Sequence, residues 1–131
     1  MAIIEAFGII PIHQGKTLLV KHQKGHWAFP KGHAEPNEDP IDTAKRELKE
    51  ETGLEVVELL GKSFNESYSF DAHEKRVTYF LAHVKGTLKV QIEEIADARW
   101  VTFEEAKKLA TFDECKKLIS AVACIFDQDV S

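Results

Sequence analysis

Two apolar runs open the chain and predict a pair of strands. AIIEAFGIIPI (residues 2–12) and KTLLVKH (residues 16–22) are separated by Gln14-Gly15, a sequence typical of the turn in a β-hairpin. The first run contains Glu5 and follows no basic segment, so we interpret it as a strand rather than a signal peptide.

The next segment predicts a loop that leads into a helix. GHWAFPKGHAEPNEDP (residues 25–40) contains two glycines and three prolines, so we expect mostly loop after a short extended piece. Asp39 is a good N-cap, Pro40 suits the first helical position, and Gly53 can end the helix. The predicted helix has a buried stripe at helical spacing, formed by Ile41, Ala44 and Leu48.

The remainder of the chain predicts three more strands and two more helices. Aromatic and β-branched residues favour strands over residues 54–70, 75–86 and 98–102. Two capping boxes, Thr102 with Glu105 and Thr111 with Glu114, predict the helix starts. The last helix, about Phe112 to Phe126, is expected to bury Leu118, Ile119, Val122 and Ile125. This order predicts a mixed α/β or α+β sandwich, and the length predicts a single domain over residues 1–131.

Composition and charge narrow the classes of partner. The chain is 44% apolar and 30% charged, as in ordinary globular proteins, and its net charge is −5. This charge gives no support for stable nucleic-acid binding or for an anionic membrane surface, although a local basic pocket can still bind a polyanionic substrate. No apolar stretch approaches membrane-spanning length, and we expect a monomer that acts on a small molecule.

The two cysteines predict no disulfide. Cys115 and Cys124 both lie in the last predicted helix, roughly 13 Å apart along its axis and on opposite faces. A chain without a structural disulfide fits a reducing compartment, so the cytoplasm is the expected location.

The stretch KRELKEETG places three carboxylates on one face of the first helix. Glu47, Glu50 and Glu51 are spaced i, i+3 and i+4, where like charges oppose helix formation by about a few tenths of a kcal/mol per pair. Carboxylate oxygens in this number suit Mg²⁺ or Mn²⁺. Taken alone, the spacing favours a solvated helix face, because Lys45 and Lys49 lie close by.

The residues around this stretch change that interpretation, because they resemble a known family. The pattern G-x5-E-x7-R-E-U-x-E-E-x-G-U, in which U is apolar, is the Nudix box. This chain matches it over 23 residues at Gly32, Glu38, Arg46, Glu47, Leu48, Glu50, Glu51, Gly53 and Leu54. The resemblance implies an α/β/α sandwich with a central mixed sheet, in which the box forms a catalytic loop–helix–loop. It also implies hydrolysis of nucleoside diphosphates linked to other moieties.

The same resemblance implies roles for the box residues. Glu47, Glu50 and Glu51 would bind a divalent metal ion, Mg²⁺ or Mn²⁺, and Gly32 would let the backbone approach the metal site. Arg46 would orient the glutamates through an ion pair, and it would contribute to catalysis together with Glu50 and Glu51. How the glutamates divide metal binding from catalysis stays open.

A further carboxylate is needed to take a proton from the attacking water. In the segment QIEEIADARW the candidate is Glu94, six residues before Trp100. Glu93 and a glutamate of the box remain alternatives.

The flanks of the box are similar to the asymmetrically cleaving diadenosine tetraphosphate hydrolases. The similar stretches are HWAFPKGHAEP, ESYSF, KRVTYFLAHVKG, the E-x5-W segment and LATFDECKKL, from about His26 to Leu118. The resemblance implies attack by water at the fourth phosphorus, giving ATP and AMP. It also implies substrate contacts: Lys31, Lys75 and Tyr79 at the phosphates, and His26, Tyr68 and Phe112 at the adenines.

Other interpretations stay open at this point. A Nudix enzyme could instead act on a nucleoside triphosphate, a diphosphoinositol polyphosphate or a triphosphorylated RNA end, and a non-catalytic nucleotide sensor could share the scaffold. Tyr79 and Phe112 could equally belong to the core, and Lys75 to a solvated strand end.

Overall fold

Seven strands and three helices form along residues 2–130, the part of the chain that the computed structural model describes; side chains are described for all of these except residues 70 and 127–130. The strands are β1 (Ala2–His13), β2 (Lys16–His22), β3 (Trp27–Ala28), β4 (Lys31–Gly32), β5 (Glu55–Phe70), β6 (His73–Lys85) and β7 (Ile95–Val101). The helices are α1 (Pro40–Thr52), α2 (Phe103–Leu109) and α3 (Asp113–Val130). None of these helices is both long enough and apolar enough to cross a membrane.

The strands form one mixed sheet around β1. The sheet runs in the order β3-β2-β1-β6-β5, with β4 paired to β1 and β7 paired to β2. β1 and β6 are parallel from Ala2 to Ile12, and the other pairs are antiparallel. The sheet therefore connects the N-terminal strand directly to the strand pair β5–β6, which carries several of the predicted site residues.

Helices cover both faces of this sheet. Because side chains alternate along a strand, neighbouring residues of β1 such as Ile9 and Ile10 enter different cores. One core packs against Ala44 and Leu48 of α1, and the other packs against α2 and α3. The predicted α/β/α sandwich is confirmed. The predicted single domain covers residues 1 and 131 as well, which lie outside the described residues, so that assignment stays a prediction.

The predicted ends of α1 are confirmed. The Asp39 side chain accepts a hydrogen bond from the backbone N–H of Asp42 at 2.8 Å, and Pro40 begins the helix. Gly53 ends it in the left-handed conformation, with a φ of 79°, and its N–H donates to the Lys49 carbonyl at 2.8 Å. The chain reversal at Gln14 and Gly15 is also confirmed, and both residues have a positive φ.

Residues 25–39 are mostly loop, as predicted, with two strands of two residues each, β3 and β4. Three details differ from the prediction. Thr111 does not cap α3, because α3 begins only at Asp113; its hydroxyl accepts a hydrogen bond from the Trp27 N–H at 2.7 Å. Ile41 and Ile125 are only partly buried.

The cysteine prediction holds for the described residues. Cys115 is buried, Cys124 is exposed, and both are free thiols. Burial raises the pKa of Cys115 to about 12, so this thiol stays protonated and behaves as a small apolar group.

Substitution of Gly53 by alanine is expected to destabilise the fold more than the same change at Gly61. Both glycines have a φ near +78°, at 79° and 76°, where a Cβ costs about 1–2 kcal/mol. At Gly53 the new Cβ would also lie 3.2 Å from the Thr87 carbonyl, whereas at Gly61 nothing lies within 4 Å. Urea unfolding of the two variants measures the difference, and equal midpoints would contradict it.

Candidate functional site

Helix α1 presents the three glutamates at different depths. Glu51 is almost completely buried, with 1% of the residue exposed. The Glu47 side chain is partly buried, and the Glu50 side chain is about half exposed. This gradient follows from the helix geometry, because Glu51 lies nearest to the apolar stripe that packs on the sheet.

Arg46 connects these glutamates to the preceding loop. One of its terminal nitrogens, Nη1, donates to Glu47 at 2.9 Å and to Glu50 at 3.1 Å. Nε and Nη2 donate to the two carboxylate oxygens of Glu38 at 2.8 and 3.0 Å, and Nη2 also donates to the His33 carbonyl. Donation from Arg46 lowers the pKa of Glu38 to about 2. The guanidinium therefore fixes loop and helix together through charge-assisted hydrogen bonds.

Glu51 is held in place on one side only. Its Oε2 accepts a hydrogen bond from the Lys31 backbone N–H at 3.1 Å, while its buried Oε1 has no hydrogen-bond partner. Burial, and after it the negative charge of Glu47, raises the pKa of Glu51 to about 9.

Gly32 lies directly against the carboxylate of Glu47. A Cβ at this position would be 2.1–2.4 Å from the carboxylate atoms of Glu47, which no side chain could tolerate without moving them. The backbone of β4 therefore packs tightly against Glu47 because residue 32 has no side chain.

The donor set fits a hard divalent cation. An unpaired buried oxygen on Glu51, a pKa of Glu51 that burial and the charge of Glu47 raise, and the absence of a Cβ at Gly32 leave oxygen ligands and excess negative charge in one place. Among the residues whose side chains are described, however, no three His, Cys, Asp or Glu residues already form a group that could hold a metal ion. Arg46 donates to one oxygen of Glu47 and one of Glu50, so a metal site that uses all three glutamates would take their other oxygens or require these side chains to rearrange.

The segment that carries Glu94 packs against the C-terminal end of α1. The Gln91 N–H donates to the Glu51 carbonyl at 3.0 Å, and the Glu94 N–H donates to the Gln91 carbonyl at 3.1 Å. Glu93 and Glu94 are both exposed, and the negative charge of Glu94 is among those that raise the pKa of Glu51. The tertiary structure thus brings Glu94 to the edge of the carboxylate cluster, across 43 positions of sequence.

A pocket of about 180 Å³ opens beside the cluster. It brings together four residues that we predicted to bind substrate, and its lining comprises His26, Ala28, Lys31, Glu66, Tyr68, Phe112, Glu114 and Cys115. The His26 ring lies 5.5 Å from the Phe112 ring, and Phe112 is 50% exposed, which is unusual for a large aromatic side chain.

Lys75 lies near this pocket without lining it. Its charge, together with that of Lys31, lowers the pKa of His26, although burial is the largest cause. Burial also lowers the pKa of His22 to about 4, and the His22 ring stacks on His26 at a centroid distance of 4.2 Å. The two lysines therefore make this side of the pocket positive, while the histidines stay neutral at pH 7.

The prediction that Tyr79 reaches the phosphates is wrong for this structure. Its side chain is completely buried and contacts Phe29 edge-on at 5.6 Å. Its hydroxyl donates to Glu66 at 3.2 Å, so Tyr79 positions the side chain of Glu66, which lines the pocket, without lining the pocket itself. The cause is the strand register, which turns Tyr79 towards the core that lies under α3.

Sequence reasoning missed Glu66, Glu114 and Cys115 as pocket residues. Glu66 had a detectable signal, because it interrupts the apolar alternation of the predicted strand between Phe64 and Tyr68. Glu114 and Cys115 had none, since only the packing of α3 on β5 brings them to the pocket.

This chain is similar in sequence to proteins of one known family. A family model described as the NUDIX domain matches residues 3–121. The chain is 40% identical over 96 residues to the mouse asymmetrical bis(5'-nucleosyl)-tetraphosphatase, covering 70% of this chain and 65% of that protein. It is 37% identical over 109 residues to the pig protein of the same name, covering 78% of this chain and 74% of that protein.

A solved structure is similar over nearly the whole chain. The binary complex of a Caenorhabditis elegans Ap4A hydrolase superposes with a TM-score of 0.82 at 26% identity, covering 95% of this chain and 98% of that one. With the family match over most of its length, the chain belongs to the Nudix hydrolase family.

Proposed function

We propose that this protein hydrolyses dinucleoside tetraphosphates asymmetrically, with diadenosine tetraphosphate and water giving ATP and AMP. The observation that carries the proposal is the position of Lys31. Its backbone N–H donates to Glu51 of the carboxylate cluster, and the same residue lines the aromatic pocket. A substrate with a base in the pocket would therefore extend its phosphates directly to the cluster.

The carboxylate cluster is the proposed metal site. Glu47, Glu50 and Glu51 would hold Mg²⁺ or Mn²⁺, with Gly32 leaving room for Glu47. When bound, such an ion neutralises part of the phosphate charge and orients the phosphates for attack. Arg46 keeps Glu47 and Glu50 in place through its hydrogen bonds, and Glu50 and Glu51 contribute to catalysis through this site.

Glu94 is the proposed general base. It would take a proton from the water molecule as the water oxygen attacks the fourth phosphorus. A new phosphorus–oxygen bond then forms in AMP, and the bond to the bridging oxygen breaks to release ATP. Glu94 is exposed, so it can pass that proton to solvent. Its negative charge contributes to the raised pKa of Glu51, which places it near the carboxylate cluster. Glu93 and a box glutamate are the alternatives.

The pocket and its positive side are the proposed substrate site. Lys31 and Lys75 would pair with the polyphosphate. His26, Tyr68 and Phe112 would hold the adenine, since flat aromatic faces stack well on a base. Both cysteines are free thiols, which supports a reducing compartment such as the cytoplasm, and a monomer is the proposed state.

A substrate panel tests the proposal. We expect diadenosine tetraphosphate with Mg²⁺ to give equal amounts of ATP and AMP, and water labelled with oxygen-18 to place the label in AMP alone. Chelation of the metal should abolish the reaction, because the charge of the phosphates and of the glutamates would then repel the nucleophile. Chromatography and mass spectrometry provide the readout.

The same panel identifies the competing functions. The protein could leave diadenosine tetraphosphate intact but cleave a nucleoside triphosphate, a diphosphoinositol polyphosphate or a triphosphorylated RNA end. The compound that is cleaved would then be the substrate in place of the tetraphosphate. Binding of the tetraphosphate without turnover at any metal concentration would indicate a sensor.

A further inference from the structure

Glu66 occupies a position where the fold calls for an apolar residue. Residues 64, 66 and 68 of β5 project from the same face of the sheet, because side chains alternate along a strand. Phe64 and Tyr68 on either side pack against the core under α3. Directly opposite Glu66 on β6 lies Val77, which is completely buried. A carboxylate in this row has no role in packing, so its presence needs another explanation.

One oxygen of this carboxylate is satisfied and the other is not. Oε1 accepts a hydrogen bond from the Tyr79 hydroxyl at 3.2 Å. Oε2 is buried and has no hydrogen-bond partner. Burial raises the pKa of Glu66, which the Tyr79 hydroxyl and the lysines partly oppose. A buried oxygen without a donor is unfavourable, so a ligand that brings an N–H group there gains affinity.

The charged neighbours of Glu66 do not pair with its carboxylate, so a turn of the side chain can bring Oε2 to a ligand in the pocket. The positive charges of Lys31 and Lys75 act to lower the pKa of Glu66, and the negative charge of Glu114 in α3 acts to raise it. Within residues 2–130, no ion pair shorter than 4 Å joins Glu66 to either lysine. The lysines are thus free to bind phosphates while Glu66 binds another part of the ligand.

The lining and size of the pocket indicate which part of the ligand Glu66 would contact. Aromatic side chains of His26, Tyr68 and Phe112 line it together with Glu66. Its volume of about 180 Å³ is below the roughly 300–1,000 Å³ of pockets for drug-sized ligands, so it suits one flat ring system rather than a whole dinucleotide. A base stacked on these rings would present its edge to Glu66.

We propose that the Glu66 carboxylate accepts a hydrogen bond from the exocyclic 6-amino group of a purine in this pocket, and so makes the site selective for adenine. The inference rests on the proposed function, which it deepens by assigning the residue that selects the base.

One oxygen of Glu66 already accepts a hydrogen bond from Tyr79 and the other does not, and this favours adenine over the other purines. An ionised carboxylate only accepts hydrogen bonds, so it repels a base that has an oxygen at position 6. Guanine presents two neighbouring N–H donors that a carboxylate binds with both oxygens, but Oε1 is already occupied by Tyr79. Adenine offers one amino group for the one free oxygen.

Mononucleotide binding to the wild-type protein tests the selectivity without catalysis. In the presence of chelator, nuclear magnetic resonance titrations of labelled protein compare AMP, IMP and purine riboside 5'-monophosphate, which lacks only the amino group. We expect AMP to bind about tenfold or more tightly than either analogue, the scale for leaving a buried polar group unpaired.

Glu66→Gln is expected to change the order of binding rather than weaken all ligands. The glutamine keeps an oxygen for Tyr79 and places an NH₂ group where Oε2 was, so IMP should gain at least tenfold relative to AMP. Glu114→Gln is the matched control, since it removes a carboxylate from the same pocket and should leave the ratio unchanged.

Several results would overturn the inference. Equal affinities for the three nucleotides, no measurable binding of AMP, or an unchanged AMP-to-IMP ratio in Glu66→Gln would each do so. Equal weakening of AMP and IMP in that variant would point to a ribose contact and would also overturn it. Failure of tetraphosphate cleavage with the AMP preference intact would instead reject the proposed function alone.

Discussion

Replacement of Glu51 by glutamine is expected to lower kcat for diadenosine tetraphosphate by about 10²–10⁴-fold, the usual scale for loss of metal or acid–base assistance. Glu51 is the most deeply buried carboxylate of the cluster, and its Oε1 lacks a partner. The glutamine keeps the shape and the hydrogen bond from the Lys31 N–H but removes the charge that would attract the metal. The Mg²⁺ concentration that gives half-maximal activity should therefore rise.

The same substitution should stabilise the metal-free protein above neutral pH. The pKa of Glu51 is raised from its ordinary value of 4.5 to about 9 in the folded state, so the folded state binds the proton more tightly than the unfolded state. The free energy of unfolding of the wild type therefore falls as pH rises from 4.5 to about 9, and the stabilisation from the bound proton is lost above that range. In Glu51→Gln that fall should be smaller, as urea unfolding with chelator can measure.

Glu58→Gln is the control for this prediction, because Glu58 is an exposed carboxylate of β5. It should change neither turnover nor the dependence of stability on pH. Wild-type turnover in Glu51→Gln would remove Glu51 from the site. A loss of stability at alkaline pH would show that its negative charge is not the unfavourable group in the metal-free fold.

Replacement of Glu94 by glutamine is expected to lower kcat by a similar factor, about 10²–10⁴-fold, for a different reason. Glu94 is exposed and lies outside the cluster of α1, so its loss should leave the Mg²⁺ dependence unchanged. If Glu94 takes the proton from water, the acidic limb of the pH–rate profile should shift or disappear in the variant.

Glu93→Gln is the matched control, since it removes an exposed carboxylate from the neighbouring position in the same turn. A large loss of kcat in Glu93→Gln with wild-type turnover in Glu94→Gln would exchange their roles. Wild-type turnover in both would assign the proton transfer to a glutamate of α1.

The local features of the fold were predictable from sequence because their causes are local. The ends of α1 depend on Asp39, Pro40 and Gly53, which act within a few residues along the chain. Where a prediction required the relative placement of elements it was less accurate. The hydroxyl of Thr111 could cap α3 by its spacing, yet it binds the distant backbone of Trp27 instead.

The pocket illustrates what a one-dimensional pattern leaves out. Tyr79 and Tyr68 are both aromatic residues of predicted strands, but Tyr79 enters the core and Tyr68 lines the pocket. Both side chains face the core under α3, which covers Tyr79 completely and Tyr68 only partly. The unpaired oxygen of Glu66 is likewise visible only when its neighbours are in place.

The family, the loop–helix that carries Glu47, Glu50 and Glu51, and the order of most strands and helices could be read from the chain alone, because these follow from short-range spacing and periodicity. The folded arrangement was needed to see that Glu51 is the buried glutamate, that Arg46 engages Glu50, and that Glu94 and Glu66 lie near the site. Burial, hydrogen bonding and charge interaction depend on distances across the folded chain, which neighbouring residues along the sequence do not set.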